Sequence, residues 1–524
     1  MRYKRLLVIL LIIAVLCVAV ACNDDSDTQN PDNQTPGTQL PEGQNPSGND
    51  NDQGNGETDG EPDGDAGEGE DEGGGNITTY ESDGTFYYSS NAEGYTLTSA
   101  VNENLNVANI PETFNSKPVT EIGEEAFRLA PWLSDVTVPS TVKVIREQAF
   151  SLCRNLTSIT FAEGSELVSI GDNAFRAAEN LQAIVLPDSL LSVGADCFNE
   201  AEALANVTCS NVIRIGRDAF DNTAYIQKQY ELPGLIVIGK TAYAYVEVDG
   251  GAANLDVYEG IESIADGAFE NNDTIVSVTI SSTVSHIGEG AFAYCDNIQS
   301  IRVDAANASY YSQDNAVLQE VSGGIRLLRG VDAIPEGVTE IAAKAFSGSA
   351  KVVNVEMSDE ITAMGAEAFA ECLNLTSVVL SDGLTALESF VFSGATSLQN
   401  VTISTGIRSV SGTAFSGCTA LSTVTIDSPF VIEEADMSMD VGHLLQWAET
   451  VYIPKVLTAE ELSAAKKELE SKLTGEELAA AISELESYNS NLKNAYSAYL
   501  AAEFTAGAAD PEMPGYRVFV RNDK

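Results

Sequence analysis

Ile361-Thr362-Ala363-Met364-Gly365-Ala366-Glu367-Ala368-Phe369-Ala370-Glu371-Cys372-Leu373-Asn374-Leu375-Thr376-Ser377-Val378-Val379-Leu380-Ser381 is one unit of a pattern that fills most of the chain. Its Ala-Phe step recurs at Phe127, Phe150, Phe175, Phe198, Phe220, Phe269, Phe292, Phe346, Phe369, Phe392 and Phe415, with gaps of 23, 25, 23, 22, 49, 23, 54, 23, 23 and 23 residues. Five residues before each phenylalanine stands an apolar side chain, from Ile122 to Val410, and eight before stands another, from Val119 to Ile407. Eleven units agreeing at three positions define an internal repeat. A period this short cannot close a core of its own, so the units must stack into a solenoid and bury their apolar residues against one another.

The second half of each unit carries apolar residues three and then two apart, as in Leu156-Thr157-Ser158-Ile159-Thr160-Phe161 and Leu398-Gln399-Asn400-Val401-Thr402-Ile403. β-Branched residues at that spacing predict a short strand with one buried face, ended by a turn at Pro139, Pro187, Ser281 or Ser404. Glycine follows the apolar residue five before the phenylalanine in six units, Gly123 and Gly288 among them, and reads as a tight bend. Cys153, Cys295, Cys372 and Cys418 lie three residues after their phenylalanine, while Cys197 replaces the repeat alanine and Cys209 a strand-end aliphatic. The register favours small buried thiols in alanine-sized slots over a disulfide framework, because only adjacent coils come within bonding reach.

The pattern Val-x-x-Ile-Gly-x-x-Ala-Phe-x-x-Cys-x-x-Leu-x-x-Val-x-Ile-Pro resembles the BspA-like leucine-rich repeat of bacterial surface proteins, over residues 119–427. The resemblance implies a strand-rich leucine-rich-repeat solenoid of about eleven 23-residue repeats. It also implies a role as an adhesin or other surface binding protein, with a ligand that varies among members. Two long gaps mark insertions near 226–260 and 304–334. Each reads as a β-hairpin, Gly234–Gly239 with Ala242–Val246 in the first and Ala316–Leu318 with Ile325–Leu328 in the second. Their tyrosines, Tyr310 and Tyr311 among them, either meet a partner or cover the solenoid edge.

Outside the repeats, residues 77–118 alternate aromatic and polar side chains and read as an N-terminal β cap. Residues 428–524 read as a C-terminal cap: a strand at Val451–Pro454, a helical hairpin opened by the capping boxes Thr458-x-x-Glu461 and Thr474-x-x-Glu477, and a last strand at Tyr516–Val520. Residues 22–76 form an acidic tether of low complexity, with 16 acids and no Lys or Arg beyond Cys22. As a flexible coil it spans ~40 Å. Residues 1–21 have the positive start and apolar run of a secretory signal. Ala19-Val20-Ala21-Cys22 resembles a lipobox, which makes Cys22 the expected lipidation site and a lipid-anchored protein at the bacterial cell surface the expected product.

The charge narrows the function further. Acids outnumber bases 78 to 27, for a net charge of −51. Even residues 77–524 carry 62 acids against 24 bases, so nucleic-acid binding is excluded on electrostatic grounds. Two histidines, His286 and His443, leave His-based catalysis and multi-His metal sites without material, and no cofactor motif is present.

What the repeat does predict is one exposed strand face. Between its buried positions stand Thr137, Thr160, Val185, Thr208, Thr279, Arg302, Glu356, Val379, Thr402 and Thr425. Two residues earlier come Asp135, Ser158, Ala183, Asn206, Ser277, Ser300, Asn354, Ser377, Asn400 and Thr423. Small hydroxyls and amides in parallel rows suit an extended surface for an extracellular protein or glycan. The same composition also suits a solvated sheet with no partner. A structural subunit docking through the C-terminal helices is the alternative role. A glycan-active enzyme is a weaker one, since the carboxylates on this face are scattered rather than paired.

Overall fold

The computed structural model describes residues 80–427 except 103 and 248–250, and beyond them residues 448, 450–454, 459–472, 479, 482, 483, 485, 486, 504–506 and 516–521. The chain winds into a strand-rich solenoid of about 14 turns. Each regular turn contributes two strands to two parallel rows. One row holds the anticipated strands, such as Asp135–Val138, Ser158–Phe161 and Asn400–Ile403. The other is built from two-residue strands just before the phenylalanine turn, such as Val144–Ile145, Ser169–Ile170 and Ser192–Val193. Strict parallel register puts like residue on like: Val136 pairs with Ile159 and Thr137 with Thr160.

A third row of inter-coil bonds runs through the phenylalanine turn itself. The residue two before the phenylalanine is left-handed in ten of the eleven units, as at Glu125 (φ 55°) and Lys344 (φ 60°), and the residue two after it in all eleven, as at Leu152 (φ 61°) and Gly394 (φ 72°). These two left-handed residues bracket the turn, within which every second N–H points along the solenoid axis. Gln148, Phe150 and Leu152 accordingly donate to the carbonyls of Asp172 (2.9 Å), Ala174 (2.8 Å) and Arg176 (2.8 Å) in the next coil.

The six conserved-register glycines are not bends: none has a positive φ. They permit close approach of coils. A Cβ on Gly288 would stand 2.4 Å from the Asp266 nitrogen, and one on Gly365 would stand 2.4 Å from that of Ala343.

Inside, the phenylalanine rings stack from Phe127 to Phe220 at centroid separations of 5.1–5.3 Å, and again from Phe346 to Phe415 at 4.8–5.6 Å. Between these stacks Phe269 and Phe292 form a separate tilted pair at 5.3 Å. All six cysteines among the described residues are free, and five are buried. The four in the position after the turn do more than fill a slot. The thiols of Cys153, Cys295, Cys372 and Cys418 each donate to the carbonyl of the phenylalanine one coil back, at 2.9–3.2 Å. Two residues on, Asn155, Asn180, Asn297 and Asn374 repeat the device, each donating its amide to a carbonyl of the preceding coil at 2.6–2.9 Å.

Phe86 closes the N-terminal end of the ladder edge-on to Phe127, 6.2 Å away. Its strand, Phe86–Ser90, pairs antiparallel with Tyr95–Ala100, which passes the short-strand row on to Lys117–Ile122. At the other end Thr450–Pro454 adds in parallel to Thr423–Ile426 and in turn pairs antiparallel with Tyr516–Arg521. The first insertion is a hairpin of Gly234–Ile238 with Thr241–Val246. The second adds Tyr311–Gln313 and the hairpin of Ala316–Val321 with Gly324–Gly330. One helix of the expected C-terminal hairpin is present, Ala459–Lys472, its Lys466 paired with Glu486. Thr458 and the second capping box lie outside the described residues, as do Cys22 and the tether.

Candidate functional site

The long-strand row is the surface that the repeat exposes. Val136, Val138 and Ile159 turn inward and are buried, while Thr137 and Thr160, one residue out of phase, stand exposed. Pairing carries this alternation from coil to coil and places Val185 beside Thr208, Thr279 beside Arg302, and Val379 beside Thr402. Thr137, Thr160, Asn206, Thr208, Thr279, Arg302, Asn354 and Asn400 are exposed, and Ser158 and Thr402 half-buried. The row also includes residues that the phenylalanine register could not reveal. Asn109 precedes Thr137, and Asn254 and Asp256 precede Ser277 and Thr279, on turns that carry the strand but no preceding Ala-Phe step.

This face is divided into four blocks rather than one continuous strip, two of the breaks at the insertions and one between Ser158–Phe161 and Ala183–Val185. Val107–Asn109 to Ser158–Phe161 form one sheet, Ala183–Val185 and Asn206–Thr208 a second, Ala253–Val257 to Ser300–Val303 a third, and Asn354–Glu356 onward a fourth. Within a block some polar groups already satisfy each other. Ser277 donates to Asn254 Oδ1 at 2.5 Å, and Ser377 and Thr376 both donate to Asn354 Oδ1, at 2.7 and 2.9 Å. Arg302 makes no ion pair among the described residues and stands exposed on the same sheet as Asp256, with Thr279 between them. Val185, 66% exposed, and Val379, 40% exposed, add apolar contacts to the same face.

Two expectations fail. Thr425 is buried, because the strand Thr450–Pro454 pairs beyond it with Tyr452 directly opposite. Tyr310 is buried as well and offers nothing to a partner. Its hydroxyl accepts the Ile287 N–H at 3.1 Å, where the short-strand row ends. Tyr311 is half-buried against the second core cluster. The first insertion uses the same substitution: the Tyr243 hydroxyl accepts the Phe220 N–H at 3.2 Å and donates to Asp221 at 3.0 Å. A phenol thus replaces the backbone carbonyl that a further coil would have supplied. The sequence leaves open whether these tyrosines meet a partner or cover the solenoid edge; Tyr243 and Tyr310 do the second, and nothing local signals that they plug a lattice of backbone bonds.

The buried thiols are chemically quiet. Burial pushes Cys153, Cys372 and Cys418 up to about 12 and Cys295 up to about 11, so none supplies a thiolate near neutral pH. Burial and the nearby Arg214 hold the half-buried His286 below its ordinary value. Among the described residues no three His, Cys, Asp or Glu side chains gather as a metal site.

The family model described as BspA type leucine rich repeat region matches residues 120–249, 229–317 and 332–435, in six copies. Comparison with curated proteins gives no match. Among solved structures the chain is similar to a leucine rich cell surface protein from Faecalibacterium prausnitzii, with 23% identity over 74% of this chain and 97% of that one and a TM-score of 0.38. It is similar also to the pneumococcal vaccine antigen PcpA, with 20% identity over 67% and 82% of the two chains and a TM-score of 0.34. A leucine-rich repeat protein from Eubacterium ventriosum shares 18% identity over 70% and 82%, with a TM-score of 0.30.

Proposed function

Because the chain belongs to the BspA-type leucine-rich repeat family, we propose that it is a binding protein of the bacterial cell surface whose long-strand face engages an extracellular protein or glycan. The observation that carries this reading is the face itself. Hydroxyls and amides stand in register from coil to coil on a backbone held by three rows of inter-coil bonds, so the ligand would meet donors and acceptors fixed before binding. Rigid presentation lowers the ordering cost of association, and an extended row lets many weak contacts add. The same reading holds Cys22 as the lipid anchor and residues 22–76 as the spacer that lifts the solenoid off the membrane. No described helix is long and apolar enough to cross a membrane.

The test is a glycan and protein array probed with the full chain, followed by the triple substitution Thr160→Lys, Thr208→Lys and Thr279→Lys. These exposed sites tolerate the change without unfolding, so circular dichroism should be unaltered while affinity for the captured ligand falls by about tenfold or more. Undiminished affinity in the triple variant would move the binding surface elsewhere. Mass spectrometry of the mature protein should find an acylated Cys22 at its N-terminus; a free N-terminus at another residue would remove the anchor from the proposal.

A further inference from the structure

The two interruptions of the phenylalanine ladder are closed differently: at the first the Tyr243 hydroxyl takes the central donor, the Phe220 N–H, whereas at the second the central donor is left without an acceptor among the described residues. In the coil of Phe269 the turn is complete: Gly267, Phe269 and Asn271 donate to the carbonyls of Glu289 (3.0 Å), Ala291 (2.9 Å) and Ala293 (3.0 Å). One coil later only the third bond survives, from Tyr294 to the Ser347 carbonyl at 3.1 Å. The carbonyl that the repeat assigns to Phe292 is that of Ala345, and the Gly330 N–H takes it at 3.0 Å. Gly290, left-handed at φ 62°, and Phe292 therefore carry N–H groups with no acceptor among the described residues.

Both residues line a cleft of about 610 Å³ between their own coil and the inserted strand Gly324–Gly330 with the coils beyond it. Three cations share that lining. Arg329 is 3% exposed, donates to the carbonyls of Ser347 (2.9 Å) and Cys295 (3.4 Å), and leaves its Nε without a partner. Carbonyls do not neutralise a guanidinium, and burial lowers its pKa from the ordinary value. Lys344 lies 3.9 Å from both Glu270 and Glu367, too far for a direct hydrogen bond to either. Arg326, by contrast, is neutralised by Glu340 at 2.8 Å.

We propose that this cleft binds a small ligand through a single carboxylate group, received by the N–H groups of Gly290 and Phe292 and faced by Arg329 and Lys344. Two N–H groups two residues apart across a left-handed residue form a concavity suited to an anion, and the cavity volume is that of an ordinary small-molecule pocket. Glu289 and Glu388 also line the cleft and are exposed; they repel multiply charged anions and favour a monoanion with a neutral body. A uronic acid sugar and a peptide C-terminus both present such a group.

Calorimetric titration of the full chain separates these sources. Glucuronic acid is compared with glucose, and acetyl-diglycine with its amide. In at least one pair the acid is expected to bind about tenfold or more tightly than the neutral partner, and the pair that discriminates names the source. Saturation should slow hydrogen exchange in the segment carrying Gly290 and Phe292. Ala343→Trp, which fills the cleft and leaves the donors in place, should abolish both effects, and Lys344→Gln should weaken binding several-fold. Equal binding of acid and neutral forms, no binding by either, tighter binding of inorganic phosphate, or full affinity in Ala343→Trp would each overturn the proposal. None of these results bears on the long-strand face, which lies in the other row.

Discussion

At the scale of single residues, the least legible feature is the pair of left-handed positions flanking each phenylalanine. Few of them are glycine. Glu125, Gln148, Leu152 and Phe390 all hold positive φ, and each bears a Cβ penalty of ~1–2 kcal/mol that the inter-coil bonds must outweigh. Leu129 combines φ 59° with 58% exposure, so its side chain contributes little packing. Leu129→Gly is therefore expected to raise stability by ~0.5–1 kcal/mol, the strain relieved exceeding the entropy that glycine adds to the unfolded chain. A urea midpoint that falls would show that the leucine packs on its neighbours after all. The thiols give a second test. Their folded pKa values lie above the ordinary value of 9.0, so the stability they contribute is complete below pH 9.0 and is lost as pH rises toward about 12. The unfolding midpoint should hold level from pH 7 to 8 and decline above about pH 9, a decline that Cys→Ala substitution at Cys153, Cys372 and Cys418 together should flatten.

At the scale of elements, the phenylalanine ladder was readable because one residue type recurs at one spacing, and the structure turns that spacing into ring-on-ring contact. Phe369 is stacked on both sides, against Phe346 at 4.8 Å and Phe392 at 5.6 Å, whereas Phe292 has one tilted neighbour. Truncation to alanine is expected to cost ~3–5 kcal/mol at Phe369, near the upper end, and less at Phe292, as read by chemical denaturation. Equal costs would mean that the rings act independently rather than as a ladder. The exposed strand face was legible for the same reason: period-two alternation says which side chains point out. The second strand row was not, since a two-residue strand such as Val144–Ile145 leaves no alternation to see. The turns at Val107–Asn109 and Ala253–Val257 escaped because they lack the preceding Ala-Phe step that marks the others. The orphaned N–H groups of Gly290 and Phe292 had no signal in sequence at all, because they arise from where an inserted strand competes for one carbonyl.

At the scale of the whole molecule, several of the few cations form inter-coil pairs, among them Lys143–Glu93, Arg146–Glu121, Arg176–Glu200 and Lys240–Glu262. These pairs are exposed and contribute little each, while the excess acid of residues 77–524 repels itself. Screening should therefore help more than it harms. The melting temperature is expected to rise between low salt and about 0.3 M NaCl, where the Debye length drops below 10 Å. A fall would place more weight on the ion pairs than their exposure allows. Buried side chains form two clusters, one running from Phe86 to Val331 and the other from Ala316 to Val451, which meet at the second insertion. The cleft lies at that seam.

The third row of bonds also has a direction. In the regular coils alternate peptide groups of the phenylalanine turn point N–H forward and C=O back, so their dipoles add head to tail along the solenoid much as they do in a helix. A stack of this kind is electrically neutral in its interior and polar wherever it is cut, with the positive pole on the N-terminal lip of the cut and the negative pole on the other. Inserting residues into one repeat thus changes more than a loop: it creates a pair of opposite poles facing each other across the gap, out of backbone alone. Where a tyrosine enters the gap, as at Tyr243, the central donor of the lip is capped; where a strand intrudes off-centre, as at Gly330, that donor stays open.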